Sequence, residues 1–342
     1  MGLPENSKIN LNNKYTKGAL NKITDVPGVT VGHKTLINND KDIYTGVTTI
    51  FPHQGNIFEN KLTAGASVIN GFGKSTGIIQ IEEMGSIESP IFMTNTFSVG
   101  TVLNAATRYM LDQNPAIGAA TCTVNCIVTE CNDGELNDIR GMHVTEQDVY
   151  DSISSACKDF EEGAVGSGTG MCCLGFKGGI GSASRIVKIK DNKYTIGAIL
   201  MSNFGCSGNL TIEGRKITPP STEHQKEKDQ GSIIIVIATD IPLTSRQLRR
   251  VSRRASVSLG KTGSFLGNGS GDIAIAFSTS NILPHFSNSD TVEIKMLHED
   301  CIDTVFEATV EAVEEAIISS LYHAVPFTTT KGKHVHALSE VL

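Results

Sequence analysis

The run Ile233-Ile-Ile-Val-Ile-Ala238 is apolar without interruption, and it follows directly on a charged, breaker-rich segment, Pro219 to Gln230. An unbroken apolar run bounded by turn signals reads as a buried strand, which only a layered fold can cover. Gly231-Ser232 stands at the mouth of that strand. On pattern alone the pair is an ordinary loop-to-strand turn. It also fits a self-cleaving precursor, in which the serine hydroxyl attacks the carbonyl before it and glycine is favoured because the distorted backbone needs no Cβ clearance. Hydrolysis of the resulting ester would free the α-amine of Ser232. With a reference pKa of about 7.7–8.0, that amine would let one residue carry both nucleophile and base.

Around this strand, apolar and glycine-rich stretches alternate with helical patterns, which places the chain in the α/β class. Strands are expected at Thr48–Phe51, Ala66–Ile69, Pro90–Thr94, Cys122–Thr129, Tyr194–Met201, Ser232–Thr239 and Asp272–Phe277. Helices are expected at Ser98–Gln113, Thr145–Phe160, Thr244–Leu259 and Ile302–Tyr322. In the last, Val305, Ala308, Ala312, Ala316 and Ile317 repeat at helical spacing opposite Glu307, Glu311, Glu314 and Glu315. Thr244 with Gln247 reads as a capping box. The 342 residues allow two domains or one large one, and 39% hydrophobic with 19% charged residues suffices for a core.

A net charge of −7, with no basic stretch interleaved with aromatics, argues against a nucleic-acid partner. Arg246, Arg249, Arg250, Arg253 and Arg254 are expected on one solvated helix face or at a subunit contact. The polar stretch Met1 to Gly18 lacks a signal-peptide core, Asn6 stands where a myristoylation motif wants Ser or Thr, and no apolar run could span a bilayer. A cytoplasmic protein without a membrane partner is the expectation. The eight cysteines read as reduced thiols, because a disulfide scaffold suits a far smaller secreted chain. Cys122, Cys126 and Cys131 lack CxxC spacing and a nearby histidine, so no metal site is read there. The glycine-rich stretch 163–182 and Gly71-Phe-Gly-Lys-Ser75 do not make phosphate loops, Val68 standing where a Walker A glycine belongs; close backbone packing is the expected use.

Three further segments carry chemistry-bearing residues. Ser270 and Asp272 lie two apart at a strand entry, on one face of an extended chain, where a serine bonded to Ser232 and held by a carboxylate would form a relay; a turn closing a hairpin is the other reading. In Glu130-Cys-Asn-Asp-Gly-Glu-Leu-Asn-Asp138, Glu130 ends an apolar run, and a desolvated carboxylate there suits a substrate ammonium. Asn203 follows the strand Tyr194–Met201, where its amide could donate to an oxyanion or cap the strand.

In order along the chain, Ile23-Thr-Asp-Val-Pro-Gly-Val-Thr-Val-Gly-His33, Thr45-Gly-Val-Thr48, Thr94-Asn-Thr96, Glu130 with Asn132-Asp-Gly134, Gly178-Gly-Ile-Gly181, Asn203-Phe-Gly205, Gly231-Ser232 and Gly269-Ser-Gly-Asp272 resemble the L-aminopeptidase/D-esterase and β-peptidyl aminopeptidase family of self-processing N-terminal-nucleophile hydrolases. The resemblance runs from about Ile23 to Leu338. It implies a four-layer αββα sandwich, two central sheets flanked by helices, formed as a single domain and cut into residues 1–231 and 232–342. It further implies Ser232 as nucleophile with its own amine as base, Ser270 and Asp272 as the supporting pair, Asn203 as oxyanion donor and Glu130 as anchor of the substrate amine. Some members carry an aromatic residue at the position of Asn132 and Glu at that of Asp272, which removes a hydroxyl from the oxyanion region and shortens a reach.

The resulting expectation is an aminopeptidase acting on short peptides, amides or esters through an acyl-enzyme on Ser232, as a homo-oligomer of processed units, with no metal or organic cofactor. An acyltransferase and an uncleaved scaffold protein of the same fold are the alternatives. The related acyltransferases use threonine as nucleophile, where this chain has serine.

Overall fold

A computed structural model of the chain describes residues 9, 11–220, 229, 231–287, 289–330 and 332–342. Residues 1–8 of the polar terminus, and most of the charged segment before Gly231, lie outside the described residues.

Its two main sheets are built from β1 (Thr30–Asn38), β2 (Ile43–Phe51), β3 (Asn60–Gly71), β4 (Ser86–Ile87), β5 (Ile91–Asn95), β6 (Ile127–Cys131), β7 (Gly179–Ile189), β8 (Asn192–Asn203), β9 (Ser232–Thr239) and β10 (Gly271–Pro284). The helices are α1 (Ile78–Met84), α2 (Val99–Gln113), α3 (Glu146–Ser154), α4 (Ser245–Ser252), α5 (Ala255–Lys261) and α6 (Ile302–Tyr322). One sheet has four strands in the order β1-β2-β5-β6, and the other has six in the order β4-β3-β10-β9-β8-β7.

Alternation along β9 fixes how these layers stack. Ile234, Val236 and Ala238 enter the core between the sheets, with Val47, Ile50, Phe92 and Val128 of the four-stranded sheet. Ile233, Ile235 and Ile237 face the other way, among Val305, Ala312 and Ile317 of α6. A strand covered on both faces needs no polar alternation, which is why its sequence is a continuous apolar run. Val102 and Ala105 of α2 and Val149 of α3 complete the outer layer on the four-stranded sheet. The stack is therefore helix, sheet, sheet, helix, the αββα architecture that the family resemblance implies.

Glycines set the closest approaches. A Cβ on Gly181 of β7 would overlap the Ala316 carbonyl of α6, and one on Gly65 of β3 would overlap the Arg249 amide of α4. The glycine-rich stretch 163–182 thus serves backbone packing, and its last residues are also the start of a strand that the sequence pattern did not announce.

Elsewhere the boundaries move for identifiable reasons. The strand expected at Cys122–Thr129 is β6, Ile127–Cys131, because Asn125 is drawn off the sheet by Glu88 Oε1, which accepts its backbone N–H at 2.9 Å and its side-chain amide at 3.2 Å. The helix expected through Phe160 stops at Ser154, since Cys157 turns to exchange backbone hydrogen bonds with Val31 of β1. Thr244 and Gln247 do form a capping box, but the helix they start is interrupted after Ser252 and resumes as α5. Of the arginine cluster, Arg246 and Arg250 pair with Glu299, while Arg250 and Arg254 lie over the Phe306 ring. All eight cysteines are free thiols. Among the described residues no helix is long and apolar enough to cross a membrane.

A buried carboxyl ties β7 to α6. Glu162 Oε2 accepts from Ser319 Oγ at 2.6 Å and from Ser182 N at 2.7 Å, yet burial outweighs these bonds and pushes Glu162 up to about 7. With the folded value above the unfolded one, the native state holds this proton longer, so the contribution is full below the ordinary carboxyl range and is lost as pH rises through about 7. Glu162→Gln is expected to flatten the fall in melting temperature between about pH 4.5 and 7, measured by calorimetry. An unchanged slope would show that Glu162 titrates as an ordinary carboxylate.

Candidate active site

Ser232 opens β9, paired with Asn203 of β8 on one side and Gly271 of β10 on the other. It is 4% exposed, and its Oγ donates to the Gly231 carbonyl at 2.6 Å. The same carbonyl accepts from Gly271 N at 3.2 Å. The expected bond from Ser270 to Ser232 is not the one formed, because the parallel register sets Gly271, not Ser270, opposite Ser232. Ser270 Oγ donates instead to Asp272 Oδ1 at 2.6 Å, so serine and carboxylate do pair on one face as their spacing suggested.

Two glycines make this crowding possible. A Cβ on Gly231 would overlap the Asn203 carbonyl, so the residue before the serine is restricted by the neighbouring strand. A Cβ on Gly271 would stand 2.5 Å from Phe72 O and 3.0 Å from Ser232 Oγ. Asp229 holds the segment just before the junction: its two oxygens accept from Gly205 N at 2.9 Å and Gly267 N at 3.1 Å.

Asn203 is buried with its amide orientation set at both ends. Oδ1 accepts from Cys172 N at 3.0 Å, and Nδ2 donates to Asn132 O at 2.8 Å, leaving the second amide proton for another acceptor. The peptide that serves Asn203 is itself gripped from behind. Lys177, fully buried, donates to Met171 O and Gly178 O, each at 2.8 Å, and to Gly168 O at 3.3 Å. Met171 C=O and Cys172 N–H belong to one peptide group, so the ammonium and Asn203 hold its opposite ends. Burial pulls Lys177 down to about 8, against the raising effect of nearby Cys172, Asp133 and Glu135.

Asn132 is exposed, and its side chain accepts from Gly134 N at 2.9 Å; it closes a turn while its backbone carbonyl meets Asn203. Glu130, inside β6, is buried. Its Oε1 accepts from Lys74 N at 2.9 Å and its Oε2 from Thr96 Oγ1. Thr96 is aimed by Asn95, whose Oδ1 accepts from Phe97 N and Ser98 N and so caps that turn. Between the carboxylate and the nucleophile region lies Gly73, where a Cβ would sit 3.4 Å from Glu130 Oε1 and 4.0 Å from Gly271 Cα. The rest of the acidic cluster divides. Glu135 pairs with Lys333 at 2.8 Å and Asp138 with His143 at 2.9 Å, while buried Asp133 accepts from Asn137 at 3.0 Å. Burial raises Asp133 to about 6.

The same cause raises Asp272 to about 6: burial acts first, the Ser270 hydroxyl works against it, and the charge of Asp229 adds to it. The structure thus gathers Ser232, Gly231, Asn203, Ser270 and Asp272 at adjoining strand ends, with Glu130 across the 71–74 turn. Asp229 and Lys177 join them from outside the sequence motifs, and Thr96, read only as part of Thr94-Asn-Thr96, gains a role as the donor to Glu130. Lys177 left one trace, a lone cation in a stretch of apolar residues and glycines.

An αββα sandwich with a serine at the buried entry of a central strand is the arrangement of an N-terminal-nucleophile hydrolase. The model of peptidase family S58 matches residues 21–335, and the chain belongs to that family. The beta-peptidyl aminopeptidase BapA of Sphingosinicella microcystinivorans is 35% identical over 345 residues, covering 94% of this chain and 86% of that protein. The PH0078 protein from Pyrococcus horikoshii OT3 superposes with a TM-score of 0.91 at 48% identity, over 97% of this chain and 94% of that one. The L-aminopeptidase D-Ala-esterase/amidase of Ochrobactrum anthropi, a prototype for the serine aminopeptidases with a variant of the Ntn hydrolase fold, superposes with a TM-score of 0.87 at 37% identity, over 96% and 93%.

Because the Ser270 hydroxyl favours the ionised Asp272, Ser270→Ala is expected to move the titration of that carboxyl to a value above about 6. Difference infrared spectra of the carboxyl bands, referenced to Asp272→Asn, would show the shift. A midpoint that stays put would mean the hydroxyl does not support the carboxylate.

Proposed function

We propose that the chain is a self-processing serine aminopeptidase, a single domain cut into residues 1–231 and 232–342. The observation that carries this reading is the Ser232 hydroxyl lying 2.6 Å from the oxygen of the carbonyl it would attack, at the end of a buried strand. Addition of Oγ to the Gly231 carbonyl carbon, with transfer of the proton to the departing nitrogen, turns the amide into an ester and frees the Ser232 α-amine. Water then hydrolyses the ester, leaving a Gly231 carboxylate and the serine hydroxyl.

In the processed enzyme the α-amine takes the hydroxyl proton as Oγ attacks a substrate carbonyl, and passes it to the leaving amine or alcohol. The second amide proton of Asn203 would meet the oxyanion, with Lys177 and the 171–172 peptide keeping the amide from turning over. Ser270 and Asp272 support the nucleophile's surroundings, and Glu130 receives the substrate's ammonium. The substrates that suit this arrangement are short peptides, amides or esters with a free amine. The names of the relatives, a β-peptidyl aminopeptidase and an L-aminopeptidase with D-Ala-esterase/amidase activity, agree with that class.

Ser232→Ala is expected to give one full-length band on a denaturing gel, no aminopeptidase turnover and an unchanged fold by circular dichroism, against two bands for the native chain. A second band beginning at residue 232 in that variant would remove the proposal. Glu130→Gln is expected to leave processing intact while raising KM for substrates with a free amine by about tenfold or more, the scale of a lost charge-assisted bond. Equal turnover of N-acetylated and free peptides by the unmodified enzyme would take the anchoring role away from Glu130.

A further inference from the structure

The C-terminal segment assembles a group of side chains that plays no part in the chemistry around Ser232. Phe327–Thr328 and His334–Val335 form a short hairpin, and a 3-10 turn follows at Leu338–Glu340. Alternation along the extended strand sorts its side chains: Val335 packs with Leu136, Cys172 and Phe327, which turns His334 and His336 together to the opposite side. The 3-10 turn then brings Glu340 back over His336. Its Oε2 accepts from Ala337 N at 3.0 Å and lies 3.1 Å from His336 Nδ1. One nitrogen from each imidazole and one carboxylate oxygen lie within 4.8 Å of one another, the one such convergence of histidine, cysteine and acidic side chains among the described residues.

Three features beyond proximity fit this group to an ion. His334 Nδ1 is 2.8 Å from Thr328 Oγ1 on the facing strand, a hydrogen bond of the kind that orients a metal-bound imidazole and leaves Nε2 for the ion. The two rings cross at 80° with centroids 4.5 Å apart, so the imidazoles are already held edge to face beside the carboxylate. The backbone is anchored as well: Lys177 N donates to His336 O at 2.8 Å, and Lys333 pairs with Glu135 at 2.8 Å. Tetrahedral zinc, with bonds of about 2.0–2.2 Å to nitrogen and oxygen, sets neighbouring donors about 3.3–3.5 Å apart. The His336–Glu340 pair is already near that separation at 3.1 Å, and the wider limit of 4.8 Å closes by rotation of the partly exposed histidines and the exposed Glu340 side chain.

We propose that His334, His336 and Glu340 form a binding site for one divalent transition-metal ion of the zinc class. Two imidazoles and a carboxylate, without thiolate, are donors that zinc takes in preference to magnesium or calcium, and they leave a fourth position for water. The ion cross-links the last strand to the turn after it, fastening the C-terminal segment over the loop that carries Asn132 to Asn137.

The test is isothermal titration calorimetry of the untagged full-length protein, stripped with a chelator and titrated with zinc chloride, alongside the visible spectrum with cobalt chloride. The expected result is one equivalent of zinc per chain, tetrahedral cobalt bands, and a melting temperature that rises with zinc. His336→Ala and the double variant His334→Ala/His336→Ala are expected to lose at least tenfold in affinity and the cobalt bands. Glu340→Gln, which can still accept from Ala337 N, weakens binding with the turn preserved. Circular dichroism of each variant without metal checks that the fold is retained. Absence of saturable zinc binding by the native chain would overturn the proposal, as would an isotherm unchanged in the double variant.

Discussion

Every side chain of β9 is buried, and the molecule is organised around that fact. A strand in this position has to satisfy two cores at once, one between the sheets and one against α6, and it is hydrogen-bonded on both edges to β8 and β10. Its register is consequently over-determined, since a shift by one residue would send the whole set for one core into the other. Ser232, the first residue of the strand, inherits this precision. Its position relative to Asn203 and Gly271 comes from six residues of apolar packing behind it, from Ile233 to Ala238, and owes little to the loop in front.

The carboxylates around the strand ends illustrate how such a region tolerates buried acids. Burying a carboxylate is costly unless hydrogen-bond donors replace water. Glu130 and Asp229 have a donor on each oxygen, supplied by Lys74 N and Thr96 for one and by Gly205 N and Gly267 N for the other. In Asp133 and Asp272 one oxygen is bonded and Oδ2 is buried without a hydrogen-bond partner among the described residues; both carboxyls are raised to about 6. The buried acids around the strand ends are thereby divided into two with a donor on each oxygen and two that burial raises to about 6. Lys177 is the buried cation among them, and three backbone carbonyls take the place of its hydration.

Much of this was legible because a few patterns have few physical solutions. The apolar run at 233–238 and the helix at Ile302–Tyr322 were readable as elements, and the latter's ends coincide with the structure, but of its expected acidic face Glu314 and Glu315 are buried, Glu315 against Arg185 of β7. Glu130 stood out because it ends an apolar run, and Ser270 with Asp272 because a two-residue spacing shares a face. β1 escaped notice since its burial fades along its length, so neither alternation nor continuity marks it. β7 was hidden for a different reason: its glycines are required by close backbone neighbours, Gly179 by Gly163 and Gly181 by α6, and glycine signals a turn unless those neighbours are known. The bond partner of Ser232 depended on strand register, and the role of Lys177 on a peptide group reached only through folding, neither of which a linear pattern encodes.

The strand order has a mechanical consequence. In the six-stranded sheet, β10 and β9 are inserted between β3 and β8, so the segments before and after residue 231 are interleaved and do not sit side by side. β9 is held along its full length by β8 on one edge, and β10 by β3 across the sheet. Severing the backbone once at residue 231 would therefore remove a covalent link without opening any seam along which the pieces could part. The two chains would share one cooperative unit, with a common melting transition, and the six-stranded sheet would not survive their separation. Such a molecule would behave as one body in every native measurement and reveal two chains only in denaturant.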